Sequence, residues 1–447
     1  MAKDKDGTPK KPEAKGRPKA KSAKTGPGRG LRPLPSFLGF APPLVGEEEL
    51  EGLADTLKSG WLTHGPKTEL FEKAVADYVG TPAALALSSC TAALHLGLRV
   101  LGVGKGDIVV TSPLTFVSTA HAIVYTGASP CFCDIDPGSG NLDPMGVRSY
   151  IGDHCRIDKD GRPVRKADRA RVKALLPIHY GGFPAELGAF MEICRTFGLD
   201  MLEDGAHALG ASHQGSPIGS KALWGKQKGD SRSLAAFSFY ATKNLATGEG
   251  GLLTGPEELL AKARVLSAYG ISDARRIWGR YAPKGSWAYD VAELGFKNNF
   301  TDIQAALGLA QLARFEKMQR TRRKYAKIYT DTLSPLGDLV TLPKGREGDK
   351  PAWHLYPLRL NLKNLRIGRD EFILKLRELN IGSSVMFIPV HLFTYYAKLL
   401  KHPLGSFPKA EAFFESEVSL PMSPANPEGL VREAASLIYD LLLANAN

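Results

Sequence analysis

FSFYATKNLATGEGGLL, residues 237–253, sets a lysine between two apolar runs. A strand ends at Phe239, Lys243 follows four residues later, and a turn bearing Gly248, Gly250 and Gly251 leads into a second strand. A lysine held between two buried strands is not on an ordinary solvated face. Desolvation favours its neutral amine, which can form an imine with an aldehyde. Taken alone, the stretch reads first as a surface lysine on a loop.

Working outward, short apolar runs alternate with helical patterns from about residue 45 to 255, as βαβ units require. The runs are AALAL (83–87), DIVVTS (107–112), PCFCDI (130–135), KALLPI (173–178), LDMLE (199–203), LAAFSF (234–239) and GLLT (251–254). Runs this continuous belong to strands covered on both faces, so the fold class is α/β with a mainly parallel sheet in a large domain. Ligands on such sheets bind beyond the carboxyl ends of the strands. Two polar segments, 156–171 and 220–231, interrupt the alternation and read as surface loops or a small hairpin. One long helical pattern starts at Asp302, placed to favour its own positive N-terminal end, and links to a smaller C-terminal α/β domain. That domain has a strand-like HLYPLRL, a helix EFILKLRELN and a last helix near 428–444.

A length of 447 residues suits two cores better than one. The division predicted is a tail over 1–35, a large domain over 36–310, and a linking helix with a small domain over 311–447. The formal charge of +12 is concentrated at one end: residues 1–35 hold eleven Lys or Arg against three Asp or Glu, a net +8 that leaves +4 for the rest. That tail lacks large apolar side chains and is expected to be disordered, a solubilising extension rather than a nucleic-acid arm. No apolar run approaches the roughly 20 residues needed to cross a bilayer, and no signal-peptide pattern opens the chain, so a cytoplasmic protein without a membrane partner is expected. Of the five cysteines, Cys131 and Cys133 form C-x-C in a strand, which reads as free thiols and not as a metal site.

Two further elements stand in order before the lysine. In SSCTAALHLGL (88–98), small hydroxyl-bearing residues lie between a strand and a helix, where backbone N–H groups and the helix dipole can hold a phosphate. Helix capping alone explains the same residues. In LDMLEDGAHALGA (199–211), a strand runs into Glu203 and Asp204; a carboxylate there can keep a pyridine nitrogen protonated, and a cap or salt bridge is the plainer reading.

The order and content of these elements resemble the DegT/DnrJ/EryC1/StrS family of sugar aminotransferases, with an aspartate-aminotransferase-like fold. GWLTHGPKTELFE (60–72), GDIVVTSPLTFVSTAHAI (106–123), PIHYGGFPAEL (177–187), EDGAHALGA (203–211), FTDIQAALG (300–308) and WHLYPLRL (353–360) carry the resemblance over about 36–445. GFKNN (295–299) is similar to the branch that aminates 4-keto sugars on UDP. The resemblance implies pyridoxal 5'-phosphate as cofactor, glutamate as amino donor with 2-oxoglutarate released, and a homodimer with shared active sites. It makes Lys243 the lysine that bonds the cofactor and shuttles the proton, and Asp204 the partner of the pyridine nitrogen. Thr91, Ala92 and Ser238 would cradle the phosphate, Phe116 would stack on the ring, and His207 stands where many relatives have Gln. Asn299 would reach the partner subunit's phosphate. Thr63, His179, Tyr180 and His391 would border the substrate, while His354 reads as structural. Cys90 replaces the usual glycine of the phosphate turn. Family members with His for the lysine dehydrate sugars; Lys243 favours transamination over dehydration, desulfuration or a regulatory role.

Overall fold

The apolar runs read from the sequence form strands of a single nine-stranded sheet. The computed structural model describes residues 31–224, 232–272 and 289–447. Most of the basic tail and part of the second polar segment lie outside the described residues, as do Arg275, Arg276, Arg280 and Lys284, which with Lys262 and Arg264 are the cations over 262–284 expected to meet a substrate diphosphate. The main strands are β1 Ala83–Leu87, β2 Asp107–Thr111, β3 Ser129–Phe132, β4 Arg171–Leu176, β5 Asp200–Asp204, β6 Ser233–Ser238 and β7 Gly251–Gly255. Their order across the sheet is β3-β2-β4-β5-β6-β7-β1. From β3 to β6 neighbours are parallel, whereas β7 is antiparallel to both β6 and β1. The polar segment after residue 155 forms a hairpin, Cys155–Ile157 with Pro163–Arg165, that joins the sheet beside β4.

Every residue of β2, β5 and β7 is buried, because helices cover both faces. On one face Phe71 and Val75 of α1 (Pro66–Val79) pack with Phe237. On the other, Leu94 and Leu98 of α2 (Cys90–Val100) and Ile123 of α3 (Val117–Tyr125) pack with Leu85, Leu202 and Leu253. Phe190 and Ile193 of α4 (Leu187–Phe197) and Leu260 of α5 (Glu257–Ser267) complete the two layers.

The long helical pattern is two helices, α6 Asp302–Ala313 and α7 Phe315–Leu333, broken where Arg314 leaves helical geometry at φ −109° and ψ 8°. A capping box between Thr301 and Gln304 starts α6. Asp302 is the first residue of α6, where its charge suits the positive end of the helix. Its carboxylate also accepts hydrogen bonds from the backbone N–H groups of Lys67 and Thr68 at 3.0 and 2.9 Å, and from the Thr68 hydroxyl at 2.7 Å, so it caps α1 as well.

A second sheet, β8 Val340–Thr341, β9 Tyr356–Leu360 and β10 Glu417–Leu420, is antiparallel with β9 central. Its core takes Tyr325 and Tyr329 of α7, Phe372 and Leu376 of α8 (Arg369–Glu378), and Val431 and Ile438 of α9 (Glu428–Ala444). Leu34 and Leu38, which the sequence reading divides between tail and large domain, both pack in this small core. The backbone N–H of Leu34 donates to Leu379 and that of Leu38 to Asn380, at 3.1 and 2.8 Å. All five cysteines are buried free thiols, and no helix among the described residues is long and apolar enough to cross a membrane.

β7 begins directly against the turn that opens α2. A Cβ on Gly251 would stand 2.3 Å from the backbone N of Cys90 and the carbonyl carbon of Ser89, both rigid atoms. Gly251→Ala is therefore expected to destabilise the protein by about 3 kcal/mol. Gly337→Ala, at φ −55° with open space around it, is the control and should leave the denaturant midpoint nearly unchanged. Comparable midpoints for the two variants would contradict the close approach.

Candidate active site

The carboxyl ends of the parallel strands converge on a cavity of about 630 Å³. Thr91, Phe116, Asp204, His207, Ser238 and Lys243 line it together, although they span more than 150 residues of sequence. Each is delivered by a strand end or a helix start. Asp204 closes β5, Ser238 closes β6, Lys243 lies in the β6–β7 loop, Thr91 sits in the first turn of α2, and Phe116 is the N-cap of α3.

Asp204 is buried, and one carboxylate oxygen accepts the Thr119 hydroxyl at 2.7 Å while the other accepts the backbone N–H of Ala206 at 3.1 Å. Burial raises its pKa, opposed by these two hydrogen bonds and by the charge of Lys243. Loss of water pulls the Lys243 ammonium down to about 8, with Cys90 and Asp204 pulling the other way. The cavity thus holds an amine that surrenders its proton easily and a carboxylate held ready by donors. An anion can be met at the α2 N-terminus, where Ser89 caps the helix by accepting the Ala92 N–H at 3.1 Å. Cys90 takes ordinary helical geometry in that turn, so no glycine is demanded there. Its thiol is buried, and burial pushes it well above its usual range.

Several expected residues are elsewhere. Ala92 does not line the cavity, and its N–H is committed to Ser89. His179 is fully buried behind the cavity wall: Nε2 faces Glu203 at 3.1 Å and Nδ1 accepts the Ala185 N–H at 3.0 Å, so neither nitrogen is left for a substrate. Tyr180 is equally buried and donates its hydroxyl hydrogen to the Met386 carbonyl. His391 pairs with Glu411 at 2.9 Å and packs on Phe407, away from the cavity. Thr63 lies outside the cavity lining, with its Oγ1 3.4 Å from Nδ2 of Asn299, the residue expected to serve a partner subunit's site and not the cavity of its own chain. Arg264 is tied to Glu72 at 2.6 Å.

Other residues enter that the sequence reading missed. Thr119 orients Asp204; it lies three residues beyond Phe116, a spacing that puts a hydroxyl on the same side of α3 and could have drawn attention. Met386 and Phe387 line the cavity from a distant segment; Phe387 opens FIPVH (387–391), in which the sequence singles out only His391. His354, read as structural, lines it too.

Comparison with known proteins agrees with this geometry. The model of the DegT/DnrJ/EryC1/StrS aminotransferase family matches residues 43–436. The chain is 42% identical over 408 residues to the spore coat polysaccharide biosynthesis protein SpsC of Bacillus subtilis, covering 91% of this chain and 97% of SpsC. Among solved structures, the putative sugar aminotransferase Spr1654 of Streptococcus pneumoniae in its PLP-form matches with a TM-score of 0.78 at 29% identity, over 91% of this chain and 99% of that one. Helicobacter pylori PseC, an aminotransferase involved in the biosynthesis of pseudoaminic acid, matches with a TM-score of 0.77 at 25% identity, over 91% and 100% of the two chains. With a parallel sheet that brings an amine, a carboxylate and a helix N-terminus to one cavity, the chain belongs to the DegT/DnrJ/EryC1/StrS aminotransferase family and is a pyridoxal-phosphate-dependent sugar aminotransferase.

Proposed function

We propose that this enzyme moves the amino group of glutamate onto a 4-keto sugar carried by UDP, in two successive half-reactions at the cavity around Lys243. The observation that carries the reading is the shared burial of Lys243 and Asp204 in one cavity with a helix N-terminus at its edge. Resemblance of GWLTHGP, PIHYGG, GFKNN and FIPVH to the branch acting on UDP-linked 4-keto sugars supports the acceptor, and similarity to SpsC supports a destination in cell-surface polysaccharide or lipopolysaccharide.

The residues fit pyridoxal phosphate by their chemistry: a carboxylate for the ring nitrogen, ring faces at Phe116 and His207, hydroxyls at Thr91 and Ser238 for the phosphate, and an amine for the aldehyde. When bound, the cofactor supplies an aldehyde that takes up the amino group and a ring that draws off electrons. Asp204, oriented by Thr119 and the Ala206 N–H, holds a proton on the ring nitrogen. Lys243 holds the cofactor and carries the proton at Nζ, taking it from one carbon and returning it to the other; a pKa of about 8 lets it do both near neutral pH. Cys90 is buried with its thiol held protonated, which counts against desulfuration.

A homodimer completes the proposal. Trp61 and Leu62, next to Thr63 in the chain, are exposed, as are Tyr269, whose ring lies 5.1 Å from Lys297 Nζ, and Leu294, at 86%. So much apolar surface beside a residue expected to reach a phosphate suits a second copy of the chain.

Four measurements test this reading. Glutamate and paired UDP-linked substrates differing only in keto position should give amination at C4; amination at C3 alone, or preference for a free keto acid, would reject the acceptor. The rate at which the enzyme stripped of cofactor recaptures it should rise with pH and level off above about 8, because only the neutral Lys243 amine reacts, whereas an ordinary lysine would carry the rise to about 10. Lys243→Ala should retain no cofactor after borohydride reduction. Finally, mixing inactive Lys243→Ala and Asn299→Ala subunits should restore activity through hybrid dimers with one intact site. Absence of recovery after proven exchange would remove the shared site.

A further inference from the structure

The cavity holds two imidazoles whose proton positions are fixed by their hydrogen bonds. Asn244, next in the chain to Lys243, donates an amide N–H to the Ala352 carbonyl at 2.9 Å. A carbonyl can only accept, so the other end of the amide, Oδ1, is the one that meets His354 Nδ1 at 3.1 Å. That oxygen also only accepts, which places the His354 proton on Nδ1. Burial keeps the ring neutral, leaving Nε2 as a bare lone pair. Among the described residues the one hydrogen bond of the His354 ring is through Nδ1. His207 has the opposite arrangement: its Nδ1 accepts the Gly181 N–H at 3.2 Å, so its proton is on Nε2. The two rings stand 4.2 Å apart, and both line the cavity.

We infer that His354 binds the acceptor sugar through Nε2, which accepts a hydroxyl hydrogen, and that Asn244 is the positioning residue that holds His354 in this tautomer. The inference rests on the sugar-acceptor reading given above. Two kinds of substrate use this cavity in turn, and their polar groups differ. A sugar hydroxyl can donate to a bare imidazole nitrogen; a carboxylate has no hydrogen to give and meets it lone pair to lone pair. His354 therefore serves the sugar half-reaction and contributes nothing to the amino-acid half. A second N–H donor in the cavity is the Lys243 amine, and a contact to it would affect both halves alike.

The test measures the two half-reactions separately: L-glutamate with the pyridoxal form of the enzyme, and a UDP-linked 4-keto sugar with the pyridoxamine form. His354→Leu should slow the sugar half about tenfold and leave the glutamate half within about twofold of wild type. His354→Gln, whose amide oxygen can accept, should recover part of the loss. Nitrogen-15 chemical shifts should show the His354 proton on Nδ1 in the wild-type enzyme and in Asn244→Asp, which keeps an acceptor oxygen, and a mixture of tautomers in Asn244→Leu. Equal slowing of both halves, an unchanged sugar half, or a wild-type proton on Nε2 would each overturn the assignment. The wild-type enzyme separates two kinds of failure. If it aminates no such sugar, the acceptor reading falls and takes this contact with it. If it does aminate the sugar, any of the three results above removes the contact alone.

Discussion

A buried carboxylate and a buried amine occupy the same cavity, and each makes the other's burial tolerable. Desolvation by itself would neutralise Asp204 and Lys243 separately; the charge of each opposes that drift in the other. The surrounding architecture is what keeps the pair in place. Parallel strands β4 and β5 deliver Asp204 at their carboxyl edge, α3 supplies the Thr119 hydroxyl, and Thr115 in turn contacts Thr119 at 2.7 Å. The loop from β6 to β7 must bring Lys243 back to that edge. It does so because β7 reverses direction and passes tightly under the Ser89–Cys90 turn, where only glycine fits.

What was legible in the sequence follows from periodicity and order. Seven apolar runs became strands because strands covered on both faces need no polar alternation, while Lys243, Asp204, Ser238 and Thr91, singled out by family resemblance more than by position, line one cavity. The direction of β7 was not legible, since an apolar run reads the same either way. Nor was the break at Arg314, whose side chain is drawn to Glu49 at 2.5 Å and to the Leu44 carbonyl at 2.9 Å, partners far off in sequence. His179 shows a limit of another kind. Its neighbour Ile178 lines the cavity, and near a strand end adjacent side chains point to opposite sides, so His179 turns away toward Glu203. Knowing that a residue lies at the end of a strand does not say which side it serves.

The C-terminal part of the chain contributes Met386 and Phe387 to the cavity, and that segment is fastened from two directions. Tyr180, at the end of the large sheet, donates to the Met386 carbonyl, and Glu417 of β10 accepts the Met386 N–H at 2.8 Å. Burial pushes the Glu417 carboxyl up to about 8, so near neutrality it is largely uncharged and acts as a hydrogen-bonding bracket. Tyr180 thus keeps a part in building the cavity wall from behind, and Phe387, stacked near His207 at 5.8 Å, is held in its lining.

Leu34 and Leu38 lie in a core otherwise built from the last third of the chain, and Phe40 and Pro42 also bond to Met422 and Ser423. During synthesis the ribosome releases these early residues long before their partners exist. Leu34 and Leu38 must wait for Leu379 and Asn380, and Pro42 for Ser423, 381 positions downstream. Contact between residues 34–42 and this late segment is therefore made only after every strand of the large sheet has been synthesised. A truncated translation product lacking its last segment would expose Leu34 and Leu38 along with the unfinished core, which gives a quality-control protease a ready mark for incomplete chains.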